Sequence, residues 1–320
     1  MRILVTGGAG FIGSNLVENL LHDGRVTFVR VLDNLVTGSV RNISEYIQHP
    51  RFEFIEGDIR NYETCLAACS NIDSITHQAA LGSVPRSIND PLATNEANIT
   101  GTLNIFNAAK EKKIRRIVYA GSSSTYGDHS GLPKKENSIG KPLSPYAVTK
   151  YVNELYAGVF ADLYGMELIG LRYFNIFGPK QDPEGPYAAV IPLFINAILN
   201  KQAPVINGDG SHSRDFTFVA DAVQANILSL FTQNKESVNQ VYNIACGNQV
   251  TLLQLFEMLA KIAGSNVTPV HGPERIGDVK HSRADINKAM QLLQYKPLFT
   301  TEQGLLKTFE WNKQKSEVKV

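Results

Sequence analysis

The chain has 320 residues, 43% of them hydrophobic, with 31 basic against 30 acidic side chains and a formal net charge of +1. That length suits one large or two modest domains around a substantial core. The balanced charge offers no basic field for nucleic acid, and no stretch approaches the roughly 20 apolar residues of a membrane span.

In chain order, the first half alternates short β-branched runs with helical segments. Strands are predicted at 2–6, 26–32, 52–56, 73–78, 115–120 and 166–174, and a late one at 240–245. Most are continuously apolar, as in a parallel sheet covered on both faces. Helices are predicted between them at 13–22, 61–70, 92–112 and 146–164. This βαβ rhythm implies an α/β fold with a doubly wound parallel sheet. After Arg172 turn-rich stretches separate helices near 187–199, 219–233, 251–263 and 283–293, and Thr251/Gln254 and Thr300/Gln303 have the spacing of capping boxes. The expected organisation is a dinucleotide-binding Rossmann domain from 1–174 plus 216–246, and a smaller mixed α/β C-terminal substrate lobe from 175–215 plus 247–320. The polar tail after Trp311 is expected to fray. Cys65 and Cys69, four apart with no His or further Cys nearby, read as an ordinary reduced pair and not as a metal site. With no leader-like segment before Ile3-Leu4-Val5, the expectation is a cytoplasmic protein without a metal.

Two constellations carry chemistry. Gly7, Gly10 and Gly13 follow the first strand and open a helix, where glycine is needed for a tight turn, for close approach to phosphate and for helix–strand packing. The helix N-terminus then offers N–H groups and a partial positive charge to a pyrophosphate. Asp33, twenty residues after Gly13, ends the run VRVLD; a carboxylate there accepts from both adenosine ribose hydroxyls and repels a 2′-phosphate, which favours NAD over NADP. Asp58, ending FEFIEGD, is placed to reach the adenine edge or simply to close a turn. Second, Tyr146 and Lys150 stand four apart in SPYAVTK. A lysine ammonium one turn away is expected to stabilise the phenolate and lower its pKa, making a base suited to an alcohol. Ser122-Ser123-Ser124 ends another strand 24 residues before the tyrosine; a hydroxyl there can bridge tyrosine and substrate oxygen, with turn formation as the competing role.

With TGGAGFIG, Asp33, SSSTYG and Tyr146-x-x-x-Lys150 in this order, the chain resembles the extended short-chain dehydrogenase/reductase family over essentially its whole length. Within that family HQAALGSVPRSINDP, GKPLSPYAVTKYVNELYA, LRYFNIFGPKQDP, INGDGSHSRDF and GDVKHSRAD are similar to the UDP-N-acetylglucosamine 4-epimerase branch. The resemblance implies NAD as cofactor and a UDP-sugar as substrate. Tyr146 would be the base, Lys150 its electrostatic partner and ribose ligand, and Ser122 the hydroxyl sharing the proton. It assigns Phe11, Ile12, Ile59, Gln78, Ala79 and Ala80 to the cofactor site and puts Phe174 beside the nicotinamide. On the substrate side it assigns Ser83, Ser123 and Ser124 to the sugar, Asn175 to the sugar or phosphates, Arg214 and Arg275 to the diphosphate, and Ala189, Val190 and Asn207 to the uridine. Ser282 and Gly82 would leave room for an N-acetyl group. Ser123 and Ser124 replace the Asp and Glu of sugar 4,6-dehydratases, which argues against dehydration.

The implied reaction interconverts UDP-GlcNAc and UDP-GalNAc. Rival readings are a 4-epimerase of the corresponding uronic acid, for which Arg86 would meet the carboxylate, or of UDP-glucose, and a non-catalytic nucleotide-binding protein. Helix 146–164 carries Val148, Val152, Leu155, Val159 and Leu163 with Tyr151, Tyr156 and Phe160 beside them, so apolar side chains cover more than one face. A homodimer through helices 92–112 and 146–164 is therefore expected, with coverage by the chain's own loops as the alternative.

Overall fold

The structure, a computed structural model, describes residues 1–185, 187–273 and 280–318. Seven strands form one parallel sheet: β1 (Arg2–Thr6), β2 (Phe28–Asp33), β3 (Phe52–Glu56), β4 (Ser74–His77), β5 (Arg116–Ser122), β6 (Glu167–Tyr173) and β7 (Gln240–Ile244), in the spatial order β7-β6-β5-β4-β1-β2-β3. The strands are apolar without alternation because both faces are covered. Along β1, Ile3 and Val5 enter one core and Leu4 the other; along β6, Ile169 and Leu171 enter the first and Leu168 the second. The first core is closed by helices Phe11–His22 and Val219–Phe231 through Leu16, Val17, Leu20, Ala222, Val223 and Leu230. The second is closed by helices Tyr62–Ala68, Gly101–Glu111 and Pro145–Tyr164 through Cys65, Ile105, Phe106, Ala157 and Phe160. This is the doubly wound α/β architecture.

The chain leaves β1 in one direction toward β2 and β3 and returns on its other side at β4, so the sheet has its switch point between β1 and β4. A crevice opens there beyond the carboxyl ends of the strands. The smaller lobe gathers Phe194 and Ile195 of helix Val190–Leu199, Leu255, Phe256 and Leu259 of helix Leu252–Ala263, and Leu305 and Phe309 of helix Thr301–Val318 around Phe177 and Phe218. Three short strand pairs stitch it together: Ile176–Phe177 with Thr217–Phe218, Ser213–Arg214 with Val250–Thr251, and Val205–Asn207 with Val270–Gly272. Ala289, Leu293 and Tyr295 return to the core under the sheet.

Both capping boxes form: Thr251 and Gln254 exchange backbone-to-side-chain hydrogen bonds, as do Thr300 and Gln303. The described part of the tail, as far as Val318, continues the last helix, whose Leu305 and Phe309 enter the core of the lobe. The predicted 92–112 helix is Pro91–Asn95 and Gly101–Glu111 joined by a single π-helical turn at Glu96–Thr100. Among the described residues no helix is long and apolar enough to cross a membrane, and no cluster of His, Cys, Asp and Glu has the makings of a metal site.

Candidate active site

The crevice is a cavity of about 500 Å³ that takes a residue from the end of nearly every strand: Gly7 after β1, Asp33 ending β2, Asp58 after β3, Gln78 after β4, Ser122 ending β5 and Tyr173 ending β6. Gly10, Phe11, Ile12, Gly13, Ile59, Ala79, Ala80, Gly82, Ser83, Ser123, Ser124, Tyr146, Lys150 and Asn175 complete the predicted residues on its wall. A second cavity, of about 960 Å³, adjoins it through Ser83, Asn175 and Ile176 and is walled by Ala189, Val190, Asn207 and Arg214. The two cavities thus share a junction at Ser83, Asn175 and Ile176, and Tyr146 and Ser122 line the first of them.

The glycine turn tests whether a pyrophosphate fits. Gly7 has φ +69°, and a Cβ there would lie 2.6 Å from Ala79 N; at Gly13 a Cβ would lie 2.1 Å from Gly7 O. Those two positions are glycine for reasons internal to the fold. Gly10 is different: a Cβ would meet Gly7 O alone, at 3.2 Å. Its bareness is turned toward the cavity, where it leaves backbone open to a ligand. Gly10 is also the N-cap of helix Phe11–His22, with no side-chain cap on the helix end, the arrangement that accepts an anion. At the far end Asp33 is 7% exposed and accepts from Ala9 N at 2.9 Å and Leu35 N at 2.8 Å. Burial pushes its carboxyl above the usual range against these backbone donors. Asp58 is instead held down to about 2 by the Arg60 guanidinium, with Asn34 donating to it as well. These residues fit a dinucleotide: small backbone for the phosphates, a carboxylate for ribose.

At the reacting end, Tyr146 and Lys150 share one face of helix Pro145–Tyr164, which Ser144 caps by accepting from Ala147 N. Lys150 is 4% exposed, donates to Ala120 O at 2.8 Å, and its Nζ lies 6.0 Å from the Tyr146 ring centre. The expected lowering of the phenol by the lysine is not what the chain alone produces. Burial raises the Tyr146 phenol, and the Ser122 hydroxyl pulls the other way. Burial also drives the lysine ammonium down to about 8, with the nearby Glu154 carboxylate holding it up. A buried phenol beside a serine hydroxyl, one turn from a lysine that gives up its proton readily, is equipped to pass a proton.

Phe174 was expected beside the nicotinamide. It is fully buried against Tyr126 and lines neither cavity. The strand ends at Tyr173 and the chain turns at Asn175, whose φ is +39°; Tyr173 and Asn175 reach the crevice while Phe174 between them packs on Tyr126. Ser282 lies outside the wall of both cavities; its N–H donates to Ser213 O. Arg275 lies outside the described residues. Residues that the sequence reading missed include Ile176, Gln181 and Tyr187 on the cavity walls, and Asn98 behind them. In the π-helical turn Asn98 accepts from Leu81 N, donates to Leu81 O, and donates to Oγ1 of Thr149, the residue before Lys150. It ties the loop over the crevice to the catalytic helix.

Comparison with known proteins agrees with this geometry. A family model described as NAD dependent epimerase/dehydratase family matches residues 3–245. A putative UDP-glucose 4-epimerase of Methanocaldococcus jannaschii is 37% identical over 97% of this chain and 98% of the relative. Among solved structures, the UDP-N-acetylglucosamine 4-epimerase from Methanobrevibacter ruminantium M1, in complex with UDP-N-acetylmuramic acid, is 39% identical with TM-score 0.92 over 98% of both chains. The UDP-glucuronic acid 4-epimerase from Bacillus cereus, with UDP-glucuronic acid and NAD, is 33% identical with TM-score 0.91 over 98% of this chain and 99% of that one.

Proposed function

We propose a substrate for a chain that belongs to the NAD dependent epimerase/dehydratase family: UDP-N-acetylglucosamine, interconverted with UDP-N-acetylgalactosamine. The coarser statement needs no proposal. The protein is an NAD-dependent UDP-sugar 4-epimerase, as are several of its relatives and structural neighbours. Bound NAD supplies a reversible hydride acceptor at the reacting carbon.

The chain's own contribution follows from the two joined cavities. Gly7, Gly10 and the helix end behind them would hold the pyrophosphate, and Asp33 the adenosine ribose. Tyr146 would accept the proton of the sugar 4-hydroxyl, with Ser122 sharing it and Lys150 supplying the positive charge that favours the phenolate. The nucleotide part of the substrate would lie in the second cavity along Ala189, Val190, Asn207 and Arg214, whose guanidinium suits a diphosphate. With that half fixed, the sugar turns about its diphosphate link in the junction and presents its other face to the same base. Binding energy is thus drawn from parts that do not react.

The acetylated sugar rests on one observation above others: the first cavity carries small residues on its wall together with Tyr146. Gly82 has open space where a Cβ would be, and Ser122, Ser123 and Ser124 line the same wall. Serine at 123 and 124 leaves no carboxylate pair for elimination. The M. ruminantium neighbour supports the same choice. The corresponding uronic acid has a specific observation in its favour. Arg86 keeps its Nε buried without a hydrogen-bond partner, and its guanidinium carbon lies 5.1 Å from the centre of the Tyr187 ring that walls the second cavity. Separate incubations with UDP-GlcNAc, its uronic acid and UDP-glucose, with epimers read by NMR, test this. Fastest turnover of UDP-GlcNAc is expected; a tenfold preference for either other sugar rejects it.

We also propose a homodimer. Val148, Leu155, Val159 and Leu163 of helix Pro145–Tyr164 stand exposed together with Leu92, an apolar patch of the kind that marks association surfaces.

A further inference from the structure

Behind the cofactor cavity four polar side chains close a hydrogen-bonded ring whose polarity is fixed by one main-chain oxygen. Asn226, fully buried on helix Val219–Phe231, lines neither cavity. Its Nδ2 donates to Ala222 O at 2.8 Å. A carbonyl can only accept, so the amide nitrogen must face that way, and its second hydrogen goes to Tyr173 Oη at 2.7 Å. The other end, Oδ1, then accepts from Thr76 Oγ1 at 3.0 Å and from Gln78 Nε2 at 2.9 Å. Because Gln78 presents its nitrogen to Asn226 and to Thr76 Oγ1, its oxygen must face Tyr173, whose hydroxyl donates to it at 3.0 Å. Donation therefore runs one way around, from Asn226 to Tyr173 to Gln78 and back to Asn226.

Two consequences follow. Asn226 uses both donors and accepts two bonds, so no other side chain of similar size can replace it without leaving a buried group unpaired. And every side-chain N–H and O–H of Thr76, Gln78, Tyr173 and Asn226 is used within the ring or, for one Asn226 hydrogen, on Ala222 O. Gln78 and Tyr173, the two members that also line the cofactor cavity most directly at the ends of β4 and β6, keep only lone pairs for a ligand. Tyr173 is the cross-strand neighbour of Ser122, so this acceptor-only edge lies at the reacting end of the crevice and not at the Asp33 end.

We propose that Asn226 is a positioning residue for the cofactor: it holds Gln78 and Tyr173 as a rigid acceptor edge that engages hydrogen-bond donors on the nicotinamide half of NAD, and it governs how firmly that half is retained. The inference rests on the cofactor being NAD.

The test compares Asn226→Ala with Ser229→Ala, a buried hydroxyl on the same helix that bonds only to Ala225 O. Affinity for NAD and for ADP is measured by titration on protein freed of nucleotide, wild type first. Wild type binding no NAD overturns the cofactor reading and this inference with it. Asn226→Ala is expected to bind NAD at least tenfold more weakly and ADP within twofold of wild type, with Ser229→Ala unchanged for both. A general loss of structure would weaken both ligands together, so a parallel fall of NAD and ADP affinity overturns the proposal, as does NAD affinity within twofold of wild type. Should Asn226→Ala not yield folded protein, Tyr173→Phe opens the same ring by one atom. A fivefold or greater loss confined to NAD supports the proposal and a smaller one overturns it.

Discussion

Glu154→Gln is the substitution from which the structure yields most. Glu154 follows Lys150 by one turn, as Lys150 follows Tyr146, and its carboxylate meets Arg172 through two parallel bonds of 2.8 and 2.7 Å. Both partners are buried, the side chains 2% and 7% exposed, and the guanidinium also lies over the Tyr126 ring and donates to Glu136 O. Glutamine keeps the shape and removes the charge. Breaking a buried pair on one side costs about 3–5 kcal/mol, because the remaining charge is stranded, a large part of the roughly 5–15 kcal/mol that holds a protein folded. The second effect is on Lys150, whose ammonium the carboxylate supports at about 8. Charges one helical turn apart, about 6 Å, interact by roughly 2–3 kcal/mol at an effective dielectric near 20. The unopposed Arg172 adds to the loss. The lysine should therefore lose its proton at lower pH, moving the alkaline limb of the kcat profile down by at least about one pH unit. Urea unfolding and a pH–rate profile read the two effects. Glu154→Leu with Arg172→Met should restore most of the stability but not the profile. A single variant within about 1 kcal/mol of wild type, or an unmoved alkaline limb, refutes the reasoning.

Tyr146→Phe should keep NAD bound and lower kcat by about 10²–10⁴; wild-type turnover would remove the phenol from its role. Asp33→Ser should admit NADP, seen as a fall of at least tenfold in the preference for NAD over NADP in titrations, because the carboxylate that would face a 2′-phosphate is gone; an unchanged preference counts against Asp33 as its source. Leu155→Glu with Val159→Glu should give a monomer by sedimentation velocity, since both side chains are exposed and add no buried charge to the fold; an unchanged sedimentation coefficient would put the association surface elsewhere.

The sheet was legible because burial on two faces leaves a plain mark: Ile3, Leu4 and Val5 are fully buried although they point to different cores. The cofactor end was equally readable, since Gly7, Gly13 and Asp33 are set by backbone geometry within a few residues of their strands. What escaped depended on distance in the chain. The paired strands of two or three residues, such as Val205–Asn207 with Val270–Gly272, carry no periodicity to detect. Asn226 joins Thr76, Gln78 and Tyr173 from 150, 148 and 53 residues away. The effect of Lys150 on Tyr146 was misjudged because spacing on a helix conveys proximity but not burial, and burial dominates both groups.

The π-helical turn at Glu96–Thr100 bears on which length changes the chain can survive. Such a turn is a helix with one residue too many, and each residue advances a helix by about 100°. Deleting one position there would not shorten a loop; it would spin the following segment by more than a quarter turn, carrying Ile105 and Phe106 out of the core or Asn98 off Leu81 and Thr149. The surplus residue is what lets one rod satisfy two masters in different rotational phase. Insertions and deletions should accordingly be excluded from residues 91–111 even where individual side chains there tolerate exchange.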